Sequence, residues 1–232
     1  MVLYLLMRKA IFANKEFYHV YNRGVDKRDI VLNEEDVKRF LLSMVEFNVH
    51  NPIGSIRQNS FRKSSLTRNI TIQSKQLVNF ICYCLNPNHY HFILEQVVDK
   101  GITKFMQRFG TGYTNYFNNK YQRTGVLFQG KFKAVHITTD AYLLHLSAYV
   151  NLNNRVHQLR SQLRSPTSKL GRSSWKEYIK SKEVYKGLSC KKEIVTEQFR
   201  SIEEYKKFAE DSLHNTLDRK ASEKDLSVML LE

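Results

Sequence analysis

An α+β fold built on one antiparallel sheet is what this sequence predicts, and three observations carry the prediction. Stretches rich in β-formers alternate with stretches of helical apolar spacing. Two of the strand-like stretches are separated only by the turn signal Asn86-Pro87-Asn88, so they form a hairpin. The order of elements reads β-α-β-β-α-β, with one further helix appended.

Each element has a local reason. Phe17-Tyr18-His19-Val20-Tyr21-Asn22-Arg23 is dense in β-branched and aromatic residues, and Gly24 ends it. Asn33 is placed to cap a helix from Glu34 to about Phe47; its first turn is acidic, and Val37, Phe40, Leu41, Met44 and Val45 form an apolar stripe. Residues 48–75 are polar, basic and serine-rich and read as a loop. Val78 to Leu85 is an almost continuous apolar run, hence a buried strand, and 89–95 is its hairpin partner. Thr103 can cap a second helix reaching about Asn119. Phe105, Phe109, Tyr113, Tyr116 and Phe117 give it a core-facing aromatic side, with Lys104, Arg108, Asn115 and Asn119 turned outward. Thr124-Gly125 breaks that pattern. Residues 132–137 read as a short strand, and Thr139 or Asp140 caps a third helix from Ala141 to about Asn153.

This is the ferredoxin-like, RRM-like split βαβ arrangement: an antiparallel sheet with helices on one face, an appended third helix and a helical tail. The division expected is a domain over residues 1–160 and a C-terminal helical extension over 161–232. In the extension, alternating Lys and Glu after Trp175 suit a solvated helical surface.

Bulk properties narrow the function classes. The 232 residues suffice for one sizeable core, and no apolar run reaches the roughly 18–20 residues of a membrane helix. The apolar start ends by Met7 and is followed, not preceded, by Arg8-Lys9, unlike a signal peptide. The expected location is cytoplasmic, associated with the nucleoid, with no membrane partner. Cys82, Cys84 and Cys190 are odd in number, and the first two sit too close along one strand face to bridge, so buried reduced thiols are expected. A net charge of +15 favours a polyanion, nucleic acid first. Across 101–160, Lys104, Arg108, Lys120, Arg123, Lys131, Lys133, Arg155 and Arg160 face Asp140 as the sole acid. Across 48–76, Arg57, Arg62, Lys63, Arg68 and Lys75 face none.

His89-Tyr90-His91 is the most telling motif. Residues i and i+2 of a strand share a face, so both imidazoles can meet one divalent ion while Tyr90, Phe92 and Leu94 enter a core. By itself the triplet is read equally well as two surface histidines on a half-buried strand. On the third helix, Tyr149 and Asn153 are four residues apart and share a face. A tyrosine can attack phosphorus to form a covalent intermediate, and a histidine-held metal would offset the phosphate charge that repels it. Asn153 offers a third, neutral oxygen ligand. Without the histidines, the preferred reading of Tyr149 is an amphipathic-helix aromatic and of Asn153 a helix C-cap.

Four motifs together, in consistent order over residues 16–158, resemble the single-tyrosine HUH transposases, and among them the REP-associated tyrosine transposases. They are Tyr18-His19-Val20-Tyr21-Asn22-Arg23-Gly24, Asn86-Pro87-Asn88-His89-Tyr90-His91, Gly125-Val126-Leu127-Phe128-Gln129-Gly130-Lys131-Phe132-Lys133 and Tyr149-Val150-Asn151-Leu152-Asn153. The resemblance implies that His89, His91 and Asn153 bind Mg²⁺ or Mn²⁺. It implies that Tyr149 attacks single-stranded DNA, leaving a 5′-phosphotyrosine and a free 3′-hydroxyl. It also implies hairpin DNA as the partner, and either a monomer or a homodimer. Asn154 stands where relatives carry proline, and Ser173-Ser174-Trp175 with Tyr178 loosely matches a segment that follows the tyrosine helix. Lys131 and Lys133 are the preferred phosphate contacts, joined by Arg123, Lys104, Arg108 and Arg23. Two other readings stand beside this one. A non-catalytic RRM-like module would stack bases on Tyr18, Tyr21 and Tyr83. A hydrolytic metallonuclease would draw on the few nearby carboxylates, Glu95 and Asp99.

Overall fold

The computed structural model describes residues 11–56, 75–161, 166–180 and 185–222. The basic residues Arg57, Arg62, Lys63 and Arg68 lie outside them. Strands β1 (Phe17–Arg23), β2 (Val78–Leu85), β3 (His89–Gln96), β4 (Lys133–Ile137) and β5 (Arg172–Ser173) form one sheet in the order β4-β1-β3-β2-β5. Every pairing is antiparallel. The helices are α1 (Glu34–Glu46), α2 (Gly101–Lys120), α3 (Asp140–Ser161), α4 (Trp175–Lys180), α5 (Glu193–Thr196) and α6 (Ile202–Ser222). The first four strands with α1 and α2 give the expected split βαβ arrangement, and the two-residue β5 widens the sheet at the β2 edge.

One face of the sheet is apolar and covered by α1 and α2. Phe40 of α1 and Phe109 of α2 pack on Tyr90 and Phe92 of β3 with ring centroids 5.6–6.3 Å apart. Phe80 meets Phe92 and Phe105 edge-on. Edge-to-face contact suits the ring quadrupole, so this layer gains beyond its buried area. Asn33 caps α1 as expected, its Oδ1 accepting from Asp36 N–H at 3.1 Å. Asp36 is itself fully buried and ties α1 to the end of α2. Its carboxylate accepts from Tyr121 Oη at 2.6 Å, Lys120 Nζ at 2.8 Å and Tyr116 Oη at 3.0 Å.

The other face is covered by α3, which over residues 146–153 is buried nearly all round because α6 packs on its outer side. Asn151 fixes it between the two. Its Nδ2 donates to Tyr205 Oη of α6 at 3.0 Å, and its Oδ1 accepts from Ser174 Oγ at 2.6 Å. Ser174 Oγ also accepts from Tyr83 N–H of β2 at 2.9 Å. At buried Gly171 an added Cβ would lie 3.2 Å from Asn154, so glycine lets α3 come close to the sheet edge.

Two boundaries differ from expectation. The second helix starts at Gly101, not near Thr103, and its N-cap is Lys100 in a left-handed conformation at φ 60° with no side-chain cap. The third helix does not stop at Asn153. With Asn154 in place of proline nothing removes the next backbone N–H, and it runs on to Ser161. Asn153 is therefore an interior helix residue and not a C-cap. Thr139 does cap that helix, accepting from Tyr142 N–H at 3.2 Å. All three cysteines are buried and unbridged, and burial holds their thiols above the ordinary range.

Candidate active site

Strand register builds the site. On β3, His89 pairs with Arg23 and His91 with Tyr21 of β1; on the far side of β1, Tyr21 pairs with Lys133 and His19 with Val135. Paired residues project to the same side of a sheet. His19, Tyr21, Arg23, His89, His91 and Lys133 thus share the face under α3, opposite the aromatic layer.

The histidines are 2% and 4% exposed, so they are not surface residues, and each is held by named partners. His89 Nδ1 lies 2.6 Å from Asn88 Oδ1, and Asn88 Nδ2 donates to Lys27 O at 3.3 Å. That fixes the Asn88 amide, so Nδ1–H of His89 donates and its Nε2 keeps the lone pair. His91 Nδ1 lies 2.9 Å from His19 Nε2. Burial depresses the pKa of His19 to about 3, so at neutral pH it is uncharged. In the tautomer where neutral His19 accepts from His91 Nδ1–H, the lone pair of His91 lies on Nε2. Hydrogen bonds of this kind orient metal-binding imidazoles.

Helix α3 brings the remaining residues. The Tyr149 ring meets the His91 ring edge-on at 5.6 Å. One turn further on, Asn153 Oδ1 lies 3.3 Å from His89 Nε2. Asn86, in the hairpin turn, sits between them. Its Nδ2 donates to Asn153 Oδ1 at 2.6 Å and to His89 Nε2 at 2.9 Å. Half-buried Tyr21, Tyr142 and Tyr149 form the rim. Burial, and secondarily Tyr142, raises the pKa of Tyr21.

One pair of the donors, His89 and Asn153, has the spacing that a small divalent ion asks of two neighbouring ligands. Two donors bound at about 2.0–2.2 Å and at right angles on one ion are about 3 Å apart. The His89 Nε2 and Asn153 Oδ1 acceptors stand 3.3 Å apart. Among the described residues no three His, Cys, Asp or Glu side chains converge as a metal site, so this set depends on the asparagine oxygen.

The six cations expected at DNA divide. Arg23 and Lys133 are on the site face by register, and Lys131 is exposed in the segment leading into β4. Arg23 also donates to Gln129 Oε1. Arg123 follows α2 and lies over the Phe117 ring at 5.5 Å. Lys104 and Arg108 belong to α2, on the opposite face of the sheet. Arg108 donates to Val49 O at 2.6 Å and to His50 O. Tyr18 and Tyr83, the base-stacking candidates of the binding-module reading, are 1% and 0% exposed and cannot meet a base. Glu95 instead accepts from Asn79 Nδ2 at 2.7 Å, and Asp99 accepts from Asn14 Nδ2 at 2.5 Å. Sequence reading missed His19 and Asn86 as site residues and gave Tyr21 only as a base-stacking candidate of the binding-module reading. The i, i+2 spacing of His19 and Tyr21 shows that they share a face, and the register with β3 shows which face it is.

The family model described as "Transposase IS200 like" matches residues 55–153, which take in β2, β3, α2, β4 and α3 as far as Asn153. No curated protein matches the sequence significantly. Among solved structures, a REP-associated tyrosine transposase bound to a REP hairpin aligns at TM-score 0.43 and 9% identity, covering 78% of this chain and 89% of that one. The tRNA(His) guanylyltransferase of Saccharomyces cerevisiae aligns at TM-score 0.37 and 12% identity, covering 66% of this chain and 64% of that one.

Proposed function

We propose that this chain, whose residues 55–153 carry the pattern of the IS200-like transposase family, nicks and rejoins single-stranded DNA through a 5′-phosphotyrosine on Tyr149. The observation that carries this reading is the approach of Tyr149 to His91, one helical turn from the contact between Asn153 and His89. The nearness of the Tyr149 phenol, two imidazoles and an amide oxygen in one cluster supports this reading.

In this reading His89, His91 and Asn153 hold a Mg²⁺ or Mn²⁺ ion, which supplies charge neutralisation at the scissile phosphate. The rest is done by the chain. Tyr149 Oη attacks phosphorus and forms the P–O(Tyr) bond. The P–O3′ bond breaks, and the phenolic proton ends on the departing 3′-oxygen, giving a 3′-hydroxyl. Rejoining is the reverse attack by a 3′-hydroxyl, which regenerates the tyrosine. His19 and Asn88 hold the two imidazoles in register through their Nδ1 atoms. Arg23, Lys131 and Lys133 bind the flanking backbone, and Tyr21 at the rim offers a ring for base stacking. We assign 1–160 as the nuclease domain and 161–232 as an extension that holds α3 in place.

Hairpin DNA is the proposed substrate. The test is incubation of the protein with labelled single-stranded hairpin DNA and Mn²⁺, followed by denaturing electrophoresis. A covalent protein–DNA adduct with a free 3′-hydroxyl on the released strand is expected. Hydrolytic cleavage without an adduct, or binding without cleavage, would overturn the reading.

A further inference from the structure

Asn86 has one polar atom that its surroundings do not use. The residue is wholly buried, and its backbone is pinned in the β2–β3 turn by its N–H donating to His89 O at 2.8 Å. Its Nδ2 satisfies two acceptors at once, His89 Nε2 and Asn153 Oδ1. Its Oδ1 is buried and has no hydrogen-bond partner. An unpaired buried carbonyl is costly, and buried polar atoms in folded proteins are nearly always paired.

The position of the NH₂ group explains the arrangement. It sits between two lone-pair donors 3.3 Å apart, where a cation shared by them would sit. As long as it stays there, it competes with the ion. Rotation by a half-turn about the Cβ–Cγ bond exchanges the amide ends in nearly the same space, and this torsion is broad and roughly two-fold in asparagine. The rotated amide would turn Oδ1 towards His89 Nε2 and Asn153 Oδ1. Three acceptors facing one another repel without a cation and are held together by one.

We propose that Asn86 is a metal ligand of this site, its Oδ1 turning in to coordinate the ion when it binds. The inference rests on the site reading above, because it takes His89 and Asn153 as ligands. It adds a second amide oxygen to the donor set, so that the site offers two imidazole nitrogens and two neutral oxygens. A set without carboxylates leaves the full positive charge of the ion available to the phosphate.

The experiment is Mn²⁺ binding to the metal-free protein in the absence of DNA, read by the loss of the free-ion electron paramagnetic resonance signal, with melting curves taken with and without Mn²⁺. Four variants are compared with wild type: Asn86→Ala, Asn86→Asp, His89→Ala and His91→Ala. Asn86→Ala is expected to weaken Mn²⁺ binding at least tenfold. Asn86→Asp, of the same shape but with oxygen at both ends, is expected to tighten it at least tenfold. The same Asp variant should melt lower than wild type without Mn²⁺ and gain more on its addition. If Asn86 serves only as an N–H donor orienting Asn153, Asn86→Asp weakens binding, and the proposal is overturned. It is equally overturned if Asn86→Ala binds Mn²⁺ as well as wild type or better. In both cases loss of binding in the histidine variants leaves the site reading standing. Should His89→Ala and His91→Ala also bind as wild type does, the site reading falls and this proposal with it. If Asn86→Ala does not fold, the sign of the change in Asn86→Asp decides.

Discussion

The two faces of the sheet are made by the same strands and do opposite work. Along β3, Tyr90, Phe92 and Leu94 enter a layer of interlocked rings under α1 and α2, while His89 and His91 enter a layer of hydrogen-bonded polar groups under α3. Both layers are buried. The first is held by non-directional apolar packing, which tolerates changes that conserve volume. The second is held by pairings among His19, His91, His89, Asn86, Asn88 and Asn153, each of which fixes a particular nitrogen or oxygen. Period-two alternation lets one strand be rigid on one side and chemically specific on the other. A change on either face should therefore move one property and spare the other.

The largest expected effect is on the polar face. Tyr149→Phe removes one hydroxyl and almost no packing volume. Adduct formation should fall below detection while the melting temperature and hairpin affinity stay at wild-type values. Tyr142, seven residues earlier on the same helix and near Tyr21, is the rival nucleophile. An adduct that survives Tyr149→Phe and is lost in Tyr142→Phe would reassign the role. His91→Ala should also abolish cleavage, as should chelation of the wild type by EDTA. It leaves His19 Nε2 without its buried partner, so a stability cost of about 1–3 kcal/mol is expected as well.

The converse substitution is Phe92→Ala on the apolar face. Phe92 touches Phe40, Phe80, Tyr90 and Phe109 and is fully buried. Its truncation should cost about 3–5 kcal/mol, measured by chemical denaturation. At temperatures where the variant remains folded, adduct formation per folded molecule should be close to wild type. A specific loss of cleavage beyond the loss of folded protein would show that the faces are coupled.

Much of this partition was legible in the sequence, where it depended on spacing within one element. The strands over 17–23, 78–85 and 89–95 follow from composition, and the i, i+2 histidines and the i, i+4 pair of Tyr149 and Asn153 follow from period. What depended on pairing between elements was not legible. His19 and Tyr21 join the site only because β1 lies beside β3 in one register. Asn86 reads as a turn residue, and its amide gains meaning only when α3 brings Asn153 to it. Lys104 and Arg108 belong to a basic run in the sequence, yet α2 carries them to the other side of the sheet. The start of α2 eluded cap rules because Lys100 supplies backbone conformation and not a capping side chain. The two residues of β5 are too few to show any period.

A smaller effect is expected at Asp36, which ties together the helices of the apolar face without touching the site. Burial alone would raise the pKa of its carboxyl. Hydrogen bonds from Lys120, Tyr121, the Leu32 N–H and Tyr116 outweigh that and hold it below the ordinary carboxylate value. A depressed carboxyl contributes stability that is fully present above its unfolded value and is lost as pH falls through the folded one. The wild type should therefore lose stability on acidification below the ordinary carboxylate range, around pH 4 and lower. Asp36→Asn should cost about 1–3 kcal/mol at neutral pH and flatten that acid limb. Melting curves from neutral pH to pH 3 test this. An unchanged acid limb in Asp36→Asn would assign the acid sensitivity to other carboxylates.

The smallest effect concerns charge, and it asks whether the polar face extends to the DNA backbone. Lys133 is on the site face by register with Tyr21, and Lys131 is exposed just before β4, so a strand reaching Tyr149 across the rim would pass both. Each phosphate they neutralise releases counterion, and for single strands the slope of log K against log salt is about −0.7 per contact. Replacing both by Gln should flatten that slope by about one to two units and weaken all hairpin sequences to a similar extent, because phosphate contacts position the protein without reading bases. Lys104→Gln, on the opposite face, should leave the slope as it is. Titrations with labelled hairpins at several salt concentrations measure both. If the Lys104 variant flattens the slope and the Lys131/Lys133 pair does not, the DNA path runs over α2, and the site face meets the strand only at the scissile phosphate.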